Sequence, residues 1–137
     1  MKMLAEDIKN GNFKTAYLFC GEEAYLRNQY KNRLAQALCD PSDTMNFSRF
    51  EGKNIIPAEI ISLADTLPFF AERRLILIED SGFFKNKCDE LADYLPKMPD
   101  TTCIIFVETE TDKRNRLYKA VQKQGRVIEF QTQDERT

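Results

Sequence analysis

No histidine occurs anywhere in this chain. That absence removes the commonest general base, the base of a serine triad and the usual imidazole metal ligand together. The cysteines are few and far apart: Cys20, Cys39, Cys88 and Cys103 contain no C-x-x-C pair. Zinc centres and redox dithiols need close pairs, so the four read as reduced thiols of a cytoplasmic protein, packed at element ends as small apolar residues. Glycine and proline number only five each and form no biased run, which argues against disorder and collagen-like repeats. Long apolar runs are missing as well. The longest, Ala16–Cys20 and Cys103–Val107, are far too short to span a bilayer, and the start shows no secretory pattern. An excess of one charge is also absent. Twenty Lys and Arg against 22 Asp and Glu leave a net charge of −2, which cannot drive non-specific binding to a phosphate backbone.

What remains is 137 residues, 42% hydrophobic and 31% charged, which suits one globular domain, residues 1–137, with a substantial core. After a short opening helix around Lys2–Lys9, strand-like and helical stretches alternate. Ala16–Cys20 is an apolar strand stopped by Gly21. From Glu22 to about Cys39, Leu26, Tyr30, Leu34 and Leu38 recur every four positions as one helical face, which Asp40-Pro41-Ser42-Asp43 ends. Met45–Phe50 is a more polar strand. Pro57 opens a second helix, with Ile60, Ile61, Ala64 and Leu67 on one face. Leu75–Ile78 is a buried strand, and Cys88, Leu91, Ala92 and Leu95 mark a third helix ended by Pro96. Cys103–Val107 is another buried strand. Leu117, Tyr118 and Val121 define a fourth helix closed by Gly125 at its C′ position, and Arg126–Phe130 alternates.

This alternation predicts an α/β fold: a five-stranded parallel sheet with helices on both faces. The unbroken apolar first, third and fourth strands belong at its centre, the half-polar second and fifth at its edges. Two strand orders satisfy that, 5-1-4-3-2 of P-loop ATPases and 2-1-3-4-5 of flavodoxin-like domains, and hydrophobicity does not choose between them.

In such sheets the active crevice lies beyond the carboxyl ends of the strands. The loop after the first strand reads Gly21-Glu22-Glu23-Ala24-Tyr25. A phosphate cradle needs G-x-x-x-x-G-K followed by Ser or Thr, so that backbone N–H groups and a lysine reach the phosphates. Only Gly21 is present, and two glutamates stand where phosphate oxygens would lie. Glu79 and Asp80, Glu108 and Glu110, with Glu22 and Glu23, form an acidic rim that could hold Mg²⁺ or serve a receiver-like phosphoryl pocket, with Asp80 as acceptor and Thr109 nearby. A receiver also wants a lysine after the fifth strand, where the chain reads Gln131-Thr132-Gln133. The commoner reading of such acids is solvated loops and helix-dipole partners. Arg116, Lys119, Lys123 and Arg126 share roughly one helical face, a surface for DNA or an acidic partner that is more often simply solvated.

The sharpest oddity is Thr66-Leu67-Pro68-Phe69-Phe70-Ala71-Glu72-Arg73-Arg74. On a helical turn, adjacent side chains diverge by about 100°, so Phe69 and Phe70 do not share one buried stripe. Either one projects as an anchor for a hydrophobic pocket on another protein, or both fill a helix–strand corner. Phe83-Phe84 poses the same alternative.

Several stretches resemble, in order, the delta subunit family of the bacterial DNA polymerase III clamp loader. They are Tyr17-Leu18-Phe19 with Gly21-Glu22-Glu23 and Tyr25-Leu26; Asn46-Phe47 through Phe50-Glu51-Gly52; Thr66 through Phe70 with Glu72-Arg73-Arg74-Leu75; and Asp112-Lys113-Arg114 with Leu117-Tyr118-Lys119-Ala120 and Gly125 through Phe130. The resemblance implies an AAA+-like first domain, order 5-1-4-3-2, without a functional P-loop, a cofactor or a catalytic apparatus. It also implies membership of the DNA-directed DNA polymerase III holoenzyme. The family grips the beta sliding clamp and helps open the ring, and its apolar clamp-binding residues carry over onto Phe69 and Phe70, approached by Leu67 and Pro68. Gamma or tau and delta-prime subunits would be further partners, and DNA an indirect one. Ala71 stands where many relatives have Gly, and the family's lid and collar domains are expected to be absent from this chain.

Overall fold

The computed structural model describes residues 2–40 and 42–131. Its elements run α1 (Lys2–Asn10), β1 (Ala16–Cys20), α2 (Ala24–Leu38), β2 (Phe47–Glu51), α3 (Pro57–Ala64), β3 (Arg74–Glu79), α4 (Asp89–Tyr94) with a 3₁₀ turn at Leu95–Lys97, β4 (Thr102–Glu108), α5 (Arg116–Gln124) and β5 (Arg126–Glu129). All strands pair in parallel, in the order β2-β3-β4-β1-β5. This is the P-loop ATPase order, with the three apolar strands at the centre and the two polar ones at the edges.

Every residue of β1, β3 and β4 is buried, and the pleat sorts their side chains to two cores. Ala16, Leu18, Ile76, Ile78, Ile104 and Phe106 face α3, α4 and α5. Tyr17, Phe19, Leu75, Leu77, Ile105 and Val107 face α1 and α2, where Leu4, Leu34 and Leu38 meet them. All four cysteines are free and buried, as small core residues.

Several expectations shift in detail. Cys88 is the N-cap of α4, and Pro96 lies within the 3₁₀ turn that follows. Met45 and Asn46 precede β2 in a turn organised by Asp43, whose carboxylate accepts from the N–H groups of Met45 (3.1 Å) and Asn46 (3.2 Å). Pro41, expected to stop α2, lies outside the described residues; Cys39 caps that helix in extended geometry. Gly125 closes α5 with φ −155°, so the left-handed C′ geometry does not occur. Glycine is needed there for space, because a Cβ would overlap the backbone of Ala16 in the adjoining β1. Leu67 is not on the face of α3, which ends three residues earlier.

Candidate functional site

The connection from α3 to β3 holds the residues that the sequence singles out. Helix α3 has already ended at Ala64, with Asp65 as its C-cap, and Pro68 keeps the residue before it, Leu67, from resuming helical geometry. The carbonyls left over at that helix end find side-chain donors. Thr66 Oγ1 donates to Ser62 O (3.1 Å) and Thr102 Oγ1 to Ala64 O (2.8 Å). Arg74, at the start of β3 and almost wholly buried, spreads its guanidinium across three carbonyls: Nε to Thr66 (2.9 Å), Nη2 to Leu67 (3.2 Å) and Nη1 to Met45 (3.1 Å). A cation at a helix C-terminus also complements the helix dipole.

Beyond Leu67 the backbone is gripped by Asn46, only 1% exposed. Its Oδ1 accepts from Phe69 N–H (2.6 Å) and its Nδ2 donates to Phe69 O (2.8 Å), a two-point clasp on one residue. The same Nδ2 donates to Asp43 Oδ2 (2.8 Å). Past this clasp Phe70 turns the chain with φ +54°, a left-handed conformation uncommon for a bulky residue.

Above these buried polar groups, Leu67 is 67% exposed, Phe69 53% and Phe70 94%, with Pro68 half-buried. The two rings meet edge to face, centroids 4.5 Å apart. Both project, and neither fills the helix–strand corner. Met45 is exposed as well, and its carbonyl is held by the same Arg74 guanidinium that takes the Leu67 carbonyl. Phe83 and Phe84 resolve the other way. Phe84 is fully buried against Phe106 (4.9 Å between centroids), and Phe83 packs on the same core.

The strand C-termini open onto a polar cleft of about 700 Å³, bordered by Gly21, Glu22, Thr109, Glu129 and Gln131. Its geometry opposes a phosphate cradle. The loop from β1 to α2 is only three residues long, and its Glu23 N–H, a group of the kind that would face a phosphate, donates to Phe130 O (3.0 Å). The cations nearby are paired: Lys85 with Glu110 (2.7 Å), Arg114 with Asp112 (2.9 Å), Lys113 with Glu129 (3.7 Å).

The acidic rim does not assemble into one site. Glu79 is taken by Lys31 (3.0 Å) and Arg49 (2.6 Å). Burial alone would raise its pKa, but these two partners hold it below the ordinary glutamate value. Glu108 is buried, with no cation paired to it among the described residues. It accepts from Ser81 N–H (3.0 Å), Ser81 Oγ (2.6 Å) and Gly82 N–H (3.1 Å), yet burial still pushes its pKa up. Among the described residues no three His, Cys, Asp or Glu side chains are grouped so as to hold a metal ion. Thr132 and Gln133, where a receiver would want its lysine, lie outside the described residues.

The basic face is likewise divided. Arg116 is bound to Asp93 and Asp89 of α4, and Arg126 to Asp7 of α1, while Lys119 and Lys123 stay exposed. Within the described residues no helix is long and apolar enough to cross a membrane.

Residues 17–131 match the family model described as DNA polymerase III, delta subunit. Among curated proteins, the chain is 27% identical over 136 residues to the DNA polymerase III subunit delta of Bacillus subtilis, covering 90% of this chain and 39% of that protein. Among solved structures, the Bacillus subtilis DNA clamp loader delta protein superposes with TM-score 0.83 at 23% identity, over 95% of this chain and 42% of that one. A DNA polymerase III gamma subunit-related protein of Thermotoga maritima gives TM-score 0.67 at 13% identity, over 96% and 47%. A RuvB protein of the same organism gives 0.51 at 15%, over 93% and 41%. At these identities the structural likenesses speak for the fold.

Proposed function

The chain belongs to the DNA polymerase III delta subunit family, and on that premise we propose that it is a sliding-clamp-binding domain whose Leu67-Pro68-Phe69-Phe70 loop enters a hydrophobic pocket of the beta clamp. The observation that carries this reading is the presentation of two neighbouring phenylalanines at 53% and 94% exposure on a backbone held from beneath. Exposed rings of this size at a loop tip are costly in water and suited to a pocket on another protein.

Fully burying a phenylalanine contributes roughly 1.5–3 kcal/mol. Phe70 stands to give nearly all of that and Phe69 about half, before the costs of association. Opening of the ring follows if the loop binds an open, distorted clamp more tightly than a closed one, since only differential affinity shifts such an equilibrium. The domain acts here as a grip. The closed β1–α2 loop supports a role without nucleotide hydrolysis, which in the assembled loader falls to gamma or tau subunits beside delta-prime, in the cytoplasm. The chain spans about two fifths of its curated relative, so contacts with those subunits belong to the proposal for the longer protein.

The test is binding of this chain to its cognate beta clamp on a sensor surface. Phe69→Ala with Phe70→Ala is expected to weaken binding by at least about a hundredfold and to leave the melting temperature nearly unchanged. Undiminished binding by that double variant overturns the assignment.

A further inference from the structure

We propose that Asn46 and Arg74 are positioning residues for the docking loop, holding it in its binding-competent shape before the partner arrives. The inference rests on the clamp-binding reading given above and adds to it two residues that are expected to touch no partner, both being buried beneath the loop.

An exposed apolar loop has two cheaper fates than standing clear of the body. It can fold its rings back onto the surface, or it can fluctuate among many conformations and lose entropy when it binds. Here the rings stand clear of the body, and the backbone that carries them is tied down. The backbone from Thr66 to Phe69 is held at four atoms by side chains from other parts of the chain: Thr66 O and Leu67 O by Arg74, Phe69 N and O by Asn46. The two residues are themselves coupled. Arg74 Nη1 takes the Met45 carbonyl, one residue before Asn46, and Leu75 N–H donates to Asn46 O (2.8 Å). Asp43 braces the Asn46 amide from the far side.

Burial makes this arrangement informative. Asn46 is 1% exposed and Arg74 5%. A polar side chain withdrawn from water loses stability unless its hydrogen bonds are replaced. Here the replacements are backbone groups of the loop and its neighbouring turn, with Asp43 as the one side-chain partner. An apolar residue at either position would fill the space and leave the loop unheld. The clasp also fixes the residue just before Phe70, whose left-handed φ sets the direction of the ring.

A protein whose competent loop conformation is only fractionally populated binds with its affinity reduced by that fraction, and the reduction appears mainly in the association rate. Asn46→Ala removes both arms of the clasp. The expected result is an association rate with the beta clamp lower by roughly tenfold, a dissociation rate changed by less than about threefold, and hydrogen exchange at the Phe69 amide faster by at least tenfold. The association and dissociation rates are read well below the melting temperature, where a residue that only stabilises the fold leaves them unmoved, while the exchange rate reports that the clasp on Phe69 is broken. Asn46→Asp keeps the acceptor for Phe69 N–H and gives up the donor. Because the lost donor faced Asp43 Oδ2 and Phe69 O, an aspartate there meets two oxygens and should slow association at least as much as Asn46→Ala; Arg74→Lys serves as the reading if the Asn46 variants do not fold. Arg74→Lys, which keeps the charge and loses the three-way fork, should act in the same direction.

If the Phe69/Phe70 double variant loses clamp binding while Asn46→Ala and Asn46→Asp bind at the wild-type rate, this inference falls and the clamp reading stands. If the double variant binds as wild type does, both fall.

Discussion

Gly21 lies so close to Phe130 that a Cβ on it would overlap the Phe130 carbonyl oxygen. The contact ties the end of β1 to the residue that follows β5. Phe130 N–H donates to Cys20 O (2.7 Å), Glu23 N–H returns a bond to Phe130 O (3.0 Å), and Arg27 Nη1 takes the Gly21 carbonyl (2.5 Å). With φ at +112°, Gly21 also occupies a backbone region that other residues rarely adopt. Gly21→Ala is therefore expected to destabilise the domain by about 2–3 kcal/mol through combined strain and overlap. Urea unfolding of the two proteins measures it, as a lower midpoint at an unchanged slope.

A second prediction concerns acid. Asp7 of α1 is buried and accepts from Arg126 Nε (2.5 Å) and Nη2 (2.9 Å) and from the Tyr17 hydroxyl (2.9 Å). Burial pulls its pKa upward, but the hydrogen bonds from Arg126 and Tyr17 and the charge of Arg126 outweigh it and leave the pKa below the usual aspartate value of 3.8. A carboxyl held lower in the folded than in the unfolded chain stabilises the fold above the unfolded value, and that contribution disappears as pH falls through the folded one. Asp7→Asn should thus cost about 2–4 kcal/mol at pH 7, where it leaves Arg126 unpaired. The gap between variant and wild type should narrow below about pH 4. Melting temperatures of both proteins at pH 7 and pH 3 test this; a constant gap would refute it.

Much of the scaffold was legible because its signals are local. Ala16–Cys20, Leu75–Ile78 and Cys103–Val107 are uninterrupted apolar runs, which only strands covered on both faces tolerate, and they became β1, β3 and β4 at the sheet centre. Their order was not legible from hydrophobicity, because two topologies place the same strands inside; the family likeness chose, and the pairing agrees. The site divided along the same line. Leu67 to Phe70 stood out as an apolar run that no helical stripe could absorb. That both rings project depends on the chain leaving the helix at Ala64 and turning left-handed at Phe70, which no glycine announced. Asn46 and Arg74 were illegible as buried residues. Each is polar beside a strand start: Asn46 is buried because a loop 23 residues on folds over it, and Arg74 because the loop leading into β3 wraps around its guanidinium.

The last prediction uses the conformation of Phe70 against its exposure. A φ of +54° costs a residue with a Cβ about 1–2 kcal/mol relative to a right-handed geometry, and glycine avoids this while adding about 0.5–1 kcal/mol of unfolded-state entropy. The ring itself, 94% exposed, gives the folded chain little burial to lose. Phe70→Gly should therefore leave the melting temperature unchanged or raise it by a few degrees. Were the ring part of a core, the same change would cost about 3–5 kcal/mol. On the clamp-binding proposal, binding should move in the opposite sense, weakening by at least about tenfold, since the ring proposed to enter the pocket is gone. Stability and binding measured on one variant thus separate an interaction residue from a structural one. A large drop in melting temperature would show that Phe70 supports the fold, and an unaltered affinity would show that it is not the anchor.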